Sequence, residues 1–138
     1  MLAASKAPSV LLVSCLTAAA AAPTVSVCSA AKAAALALYQ SLAIENPFVT
    51  FTYILPSIVR GTGFYDSPAD GGHPRGVDPN RSGVSQEAVV TRAMNAVDRG
   101  ERTVFIPGTG AVSFWLSYLF PSFIARSVQK RYGYPPVA

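Results

Sequence analysis

The sequence predicts an α/β fold built around a parallel sheet. Two apolar stretches, 9–15 ("SVLLVSC") and 48–57 ("FVTFTYILPS"), are typical of buried strands, and a long helix-forming stretch lies between them at 27–45. A strand, a helix and a second strand in this order indicate a βαβ unit. The composition agrees with a packed domain, since 51% of the 138 residues are hydrophobic and 13% are charged. An average soluble domain has roughly 25% charged residues, so general disorder is excluded.

Local residue choices account for the elements of the first half. The first strand is followed by a loop of small residues at 16–26. The helix at 27–45 consists of strong helix formers and ends where Asn46 and Pro47 cannot continue it. It is apolar on most sides, so we expect it to be buried on more than one face. The second strand ends at Pro56.

A second helix and a third strand follow a long loop. The loop, 60–84, holds six glycines and three prolines and is much longer than the 2 to 6 residues typical of such connections. Ser85 can cap a helix over 86–99, which Gly100 ends. The stretch "RTVFIPG" is the third predicted strand. The apolar positions of the second helix are expected to share one face: Val89, Val90, Ala93, Met94 and Val97.

The C-terminal residues 111–138 are expected to form a helical extension to a domain at 1–110. This extension is expected to be an aromatic, apolar helical segment that is broken or kinked at Pro121. Its apolar part, 111–125, is shorter than the roughly 20 residues needed to span a bilayer. Aromatic residues followed by basic ones are typical of a helix that lies in a membrane interface: Trp115, Tyr118 and Phe120, then Arg126, Lys130 and Arg131. The alternative is an ordinary extension that packs on the sheet.

The net charge of +4 has a local origin. Seven basic and seven acidic residues up to Glu101 cancel, and the excess comes from the basic residues that follow: Arg102, Arg126, Lys130 and Arg131. A nucleic-acid-binding surface normally carries many more interleaved Lys and Arg residues. We therefore expect no nucleic-acid partner.

The N-terminus allows two interpretations. The stretch "MLAASKAPSVLLVSCLTAAAAAP" has the outline of a secretory signal, with an early lysine, an apolar run and an Ala-rich end. The apolar run is short, however, and β-branched at Val10 and Val13, as expected for the first strand of the βαβ unit. We favour the strand.

Several residues that resemble functional motifs have simpler explanations. His73 lies between Gly72 and Pro74 without an evident partner, so a solvated side chain is expected. The stretch "GTGAVS" at 108–113 is close to a dinucleotide fingerprint, but Ser113 replaces the third small residue and no acidic residue follows to hold a ribose.

The two cysteines are followed by a lysine on the first helix. Cys15 and Cys28 have no second pair or partner histidines, so neither a zinc site nor a disulfide scaffold is predicted, and two small buried hydrophobes are the simplest interpretation. Lys32 is unusual on an apolar helix because burying an unpaired ammonium is costly. It lies one turn after Cys28, on the same face of the helix. The charge is therefore expected to serve a site.

This arrangement resembles the short-chain dehydrogenase/reductase family, whose signature is a serine followed thirteen residues later by Tyr-x-x-x-Lys. Lys32 matches the family lysine, while Cys28 and Cys15 stand at the tyrosine and serine positions. The resemblance runs from about Val10 to "TVFIPG" and covers the second half of the family's domain. Its first βαβ unit, with the Gly-rich turn, is absent from this sequence.

The resemblance implies a fold, a reaction and a cofactor. The fold would be the second half of a doubly wound Rossmann-type sheet, with three strands, flanking helices and an apolar C-terminal helix. The reaction would be an NAD(P)-dependent oxidoreduction of a small carbonyl or alcohol substrate. Lys32 would hold the nicotinamide ribose and tune the proton donor, and Pro56, Ser57 and Val59 would contact NADP or NAD. With thiols at both catalytic positions, we expect weak activity or none.

The resemblance also implies partners. Family members use the equivalent of helix 27–45 in subunit contacts, so a homodimer or heterodimer is expected through it. A noncatalytic homologue that acts through dimerisation or membrane association is the alternative function. Membrane-associated members carry comparable tails, which favours a membrane location, such as the endoplasmic reticulum, over the cytoplasm. The first strand is expected to present an unpaired apolar edge.

Overall fold

The elements of the protein come from a computed structural model, which describes residues 7–20, 22–63 and 83–135. Most of the loop at 60–84, including His73, lies outside these ranges. The elements in chain order are β1 (Ser9–Val13), a 3₁₀ turn (Leu16–Ala18), α1 (Ser26–Glu45), β2 (Thr50–Pro56), α2 (Gln86–Asp98), β3 (Thr103–Ile106), α3 (Gly110–Leu119) and α4 (Pro121–Tyr132).

The three strands form one parallel sheet in the order β1-β2-β3. Val13 is opposite Ile54, and Ile54 is opposite Val104. The central strand β2 is buried from Phe51 to Pro56, because it has a strand on each side and helices above and below. The predicted α/β class, with a three-stranded parallel sheet and flanking helices, is confirmed.

Helices α1 and α2 cover opposite faces of the sheet. On one face Phe51 and Tyr53 of β2 pack with Ala43 of α1. On the other face Ile54 packs with Ala93 of α2. Neighbouring residues of a strand point to opposite faces, which is why one strand serves both clusters.

The two crossover connections have opposite hands. Both step across the sheet in the same direction, from β1 to β2 and from β2 to β3, but one helix lies above the sheet and the other below it. About 98% of such connections are right-handed, so one of the two belongs to a rare class.

The outer edge of the sheet at β1 is apolar. Among the described residues β1 pairs with β2 alone, so its other edge is open, as expected from the sequence. Leu11 and Val13 are 39% and 51% exposed, because α2 packs over β2 and β3 instead.

The first strand and the loop after it differ from the sequence-based expectations. The first strand ends at Val13 rather than 15, and the loop after it contains a 3₁₀ turn. Of the two alternatives expected at Pro121, a break and a kink, the structure shows the break, because the C-terminal segment forms two helices. The break lies at Phe120, whose backbone leaves the helical region at φ −132°. A residue before proline is pushed out of the helical conformation, and Pro121 is well suited to start the next helix.

The helices bury less apolar surface than the sequence suggests. Helix α1 packs on the sheet along one face, and its exposed face retains Val27, Leu38 and Ile44. By length and composition alone α1 could cross a membrane, a test that core helices of soluble proteins and signal sequences also pass. On α2, Ala93 and Ala96 are buried and Val89 packs beside them, whereas Val90 and Met94 are exposed because they lie on the side of the helix away from the sheet.

Candidate functional site

A pocket lies where β1 and β2 end, beside the first turns of α1. It has a volume of about 230 Å³. Its lining residues are Val13, Ser14, Cys15, Cys28, Lys32, Pro56, Ser57, Val59 and Thr62. In open parallel sheets, ligands bind outside the carboxyl ends of the strands, which is where this pocket is. All six residues that the sequence nominated for catalysis or cofactor binding line it.

Lys32 is the single charged side chain among these lining residues. It is half-buried and makes no ion pair with another residue of the described ranges. Because the helix repeats every 3.6 residues, Cys28 lies one turn before it on the same face. The pocket therefore combines an ammonium group with a thiol on an otherwise apolar helix.

Cys15 brings the second thiol to the pocket from the loop after β1. The hydroxyl of Thr17 donates a hydrogen bond to the Sγ atom of Cys15, over 3.3 Å. Both cysteines are half-buried and neither forms a disulfide. The interpretation of both cysteines as small buried apolar side chains therefore accounts for their burial. It does not account for the fact that both line the same pocket.

Ser14 connects this loop to the helix that carries the lysine. Its hydroxyl is buried and donates a hydrogen bond to the backbone carbonyl oxygen of Lys32, at 3.4 Å. Strand alternation predicts that Ser14 and Cys15 face opposite sides, yet both line the pocket. The reason is that the strand ends at Val13, so the alternation no longer applies.

The rim of the pocket after β2 is held by residues at the start of α2 and just before it. Val59 pairs with Val84 in an isolated parallel bridge. The amide of Gln86 donates to the carbonyl oxygen of Gly61 at 2.6 Å. Thr62 donates to the carbonyl oxygen of Val59 at 3.2 Å. The sequence did not predict either residue, and the contact of Gln86 crosses the long loop. The one local signal is Gly83, which carries a φ of +125° at the entry to the bridge.

The dinucleotide-like stretch at 108–113 has a packing explanation. Gly110 starts α3, and a Cβ atom there would lie 3.3 Å from Leu16 Cδ1 and 3.6 Å from Phe105 Cβ. The glycine therefore allows the helix to approach the 3₁₀ turn and β3 closely. Gly108, two residues earlier, has open space around it.

The shifted pKa values belong to groups outside the pocket. Burial raises the pKa of Tyr53, whose hydroxyl donates to the carbonyl oxygen of Tyr39 at 3.2 Å, and the charge of Arg102 opposes that rise. A hydrogen bond from Arg92 lowers the pKa of Glu101, with which it forms a two-pronged ion pair at 2.6 and 3.1 Å. Both pairs tie structural elements together and neither faces the candidate site.

No model of a known protein family matches the chain, and no curated protein matches it either. The shared pocket of Lys32, Cys28 and Cys15 is therefore the basis on which a function is assigned.

Proposed function

We propose that this chain is an oxidoreductase of the short-chain dehydrogenase/reductase lineage, and that its pocket holds the nicotinamide end of NAD(P). One observation carries the proposal. Six residues that the resemblance nominates, spread from Cys15 to Val59, line a single pocket at the carboxyl ends of two parallel strands. The three strands would then be the second half of a doubly wound sheet.

The residues present fit one end of a dinucleotide. Lys32 offers an ammonium group without an ion-pair partner in the described ranges, suited to donate to ribose hydroxyl groups. Ser57 adds a hydroxyl group at the end of β2. The volume of about 230 Å³ is below the 300 to 1,000 Å³ typical of whole-ligand pockets, so it holds part of the cofactor. Binding is expected to be weak because a pocket of this size contacts only part of the cofactor.

The bound nicotinamide would supply or accept the hydride, and the side chains around it would handle the proton. In the family that the chain resembles, a lysine one helical turn away assists the proton donor. The acid at hand is the thiol of Cys28, which is much shorter than a phenol and ends farther from a carbonyl placed for tyrosine. Cys15 is a weaker donor than a serine hydroxyl. A misplaced proton donor costs orders of magnitude in rate, so we expect low turnover.

Cofactor binding by the full chain tests the proposal directly. NADPH and NADP⁺ are titrated by calorimetry into the wild-type protein, Lys32→Met and the matched control Lys130→Met, whose lysine is exposed on α4. We expect millimolar binding that weakens at least about tenfold in Lys32→Met and is unchanged in Lys130→Met, since a hydrogen bond to a charged group is lost. Equal binding by all three proteins, or no binding by wild type, contradicts the proposal.

A gain of activity provides an independent check. The double variant Cys28→Tyr with Cys15→Ser restores a phenol one helical turn before Lys32 and a hydroxyl at the end of β1. We expect at least about a tenfold increase in NADPH-dependent reduction of a small aromatic aldehyde, because a placed general acid contributes about 10²- to 10⁴-fold. The same double variant with Lys32→Met is the control and should remain at the wild-type rate.

The open face of α1 supports a second candidate, a noncatalytic homologue that acts by dimerising. Val27 and Ile44 are 82% and 78% exposed, and Leu38 lies between them. Two copies of a long apolar face would bury each other in an isologous contact. Light scattering of Ile44→Asp against Val90→Asp, an exposed position on α2, tests this. A dimer that only Ile44→Asp dissociates favours it, and a wild-type monomer refutes it.

A further inference from the structure

The junction of α3 and α4 carries a large exposed apolar surface. Its members are Val112, Trp115, Tyr118, Leu119, Phe120 and Phe123, each of them more than half exposed. Phe114, by contrast, turns inward and stacks on Phe105 of β3, with ring centroids 5.6 Å apart. One aromatic residue therefore attaches α3 to the sheet, while the others face outward as the α3–α4 apolar surface.

A basic face of α4 adjoins this surface. Phe123, Arg126 and Lys130 are spaced by three and four residues, so they share one side of the helix. All three are exposed. The opposite side, with Ile124 and Val128, borders a groove against the segment around Ala20. The helix therefore has a face turned to the protein and a face turned outward, and the outward face carries both rings and cations.

The basic residues beside the α3–α4 apolar surface indicate what kind of partner it binds. No acidic residue follows Glu101 in the sequence, so Arg126, Lys130 and Arg131 have no counter-charge of their own segment. In a two-fold dimer the same patch faces itself, which would bring like charges together. An anionic lipid surface offers the opposite charge to the basic face and an apolar boundary to the rings. A membrane surface is therefore favoured over a second copy.

The length of α3 determines how it would meet the bilayer. Ten residues at 1.5 Å each give about 15 Å, half of the roughly 30 Å hydrocarbon core. Trp and Tyr rings are most favourable at the level of the headgroups. The helix is suited to lie in the interface rather than to cross it.

We propose that the α3–α4 apolar surface docks on an anionic membrane. Leu119 and Phe123 enter the boundary between headgroups and acyl chains, and Arg126 and Lys130 contact the lipid phosphates.

Vesicle flotation of the full chain tests the docking surface. The vesicles consist of phosphatidylcholine alone or with added phosphatidylserine. We expect binding to the anionic vesicles that falls at least about tenfold in Leu119→Asp and is kept in Ile44→Asp, the matched control on α1. Both positions are exposed, so the fold should tolerate the change, which circular dichroism checks.

Two double variants that each remove two positive charges distinguish electrostatic attraction to anionic lipid from non-specific hydrophobic adsorption. Arg126→Gln with Lys130→Gln should lower binding to anionic vesicles about 25-fold, since each surface cation contributes about fivefold. Arg60→Gln with Arg99→Gln makes the same change of charge elsewhere and should have little effect. Equal binding to neutral vesicles, equal loss in both double variants, or loss in Ile44→Asp instead of Leu119→Asp overturns the proposal. Failure of vesicle binding in wild type also overturns it.

Discussion

Replacing Gly83 by alanine should destabilise the protein through one close contact. The residue has a φ of +125°, and a Cβ atom there would overlap the carbonyl oxygen of Ile58. That oxygen also accepts the hydrogen bond of the Val84 amide at 2.9 Å. It cannot move away without losing this bond, and Val84 in turn accepts from the Arg60 amide at 2.9 Å.

The expected cost follows from these contacts. Holding alanine in such a backbone conformation costs about 1 to 3 kcal/mol. Losing the two hydrogen bonds adds about 0.5 to 1.5 kcal/mol each, so the free energy of unfolding should fall by about 4 kcal/mol. Gly100 is a matched control, with a φ of +64° and no atom within 4 Å of its added Cβ. Alanine there should cost about 1 to 2 kcal/mol from the backbone alone.

Urea unfolding of the full chain separates the two contributions. A difference of about 2 kcal/mol moves the midpoints of Gly83→Ala and Gly100→Ala apart by about 1 M, for a slope of about 2 kcal/mol per M. Because Gly83 leads into the bridge that holds Val59, Gly83→Ala should also weaken NADPH binding. Midpoints within about 0.3 M of each other would refute the steric reasoning.

Three further substitutions test the packing, capping and charge arguments. Ile54→Ala removes a side chain with 0% exposure from the central strand and should lower the free energy of unfolding by about 2 to 5 kcal/mol, measured by urea titration. Ser85→Ala removes the hydroxyl group that accepts a hydrogen bond from the Ala88 amide at 3.2 Å. It should lower the free energy of unfolding by about 1 kcal/mol in the same assay, and a loss below about 0.5 kcal/mol would contradict the capping role. Glu101→Gln should remove a stabilising interaction that is present above the carboxyl group's ordinary pKa of 4.5 and is lost as the pH falls through its lowered pKa. The wild-type and variant melting temperatures should therefore differ at neutral pH and converge in acid, and a constant difference would contradict the Arg92 pairing.

The local pattern of apolar and polar residues was sufficient to predict the three strands and the helices that flank the sheet. Alternating and continuous apolar runs predicted the three strands, and Ser85 correctly marked the start of α2, where its hydroxyl caps the helix. The sequence left a break and a kink at Pro121 as alternatives, because a proline inside an apolar run is compatible with both. The tertiary contacts of α3 with β3 and the 3₁₀ turn, through Phe114 and Gly110, accompany the break.

The candidate site was predictable where it depends on helical spacing and not where it depends on long-range contacts. Lys32 and Cys28 share a face of the helix because they are one turn apart, and this follows from their spacing in the sequence. Ser14 and Gln86 hold the pocket through partners 18 and 25 residues away, at Lys32 and Gly61. Hydrogen bonds of this range leave no periodic signal, so only the folded chain identifies them.

By itself the sequence determined the α/β class, the long apolar helix with its single lysine, and the excess of basic residues at the C-terminus, since each depends on neighbouring residues. The tertiary structure alone decided that α1 and α2 cover opposite faces of the sheet, and that the rings around Leu119 face outward. Both outcomes depend on which apolar surfaces meet. A strand buried on both sides presents equivalent faces to its neighbours, and the chain's pattern of residues does not distinguish between them.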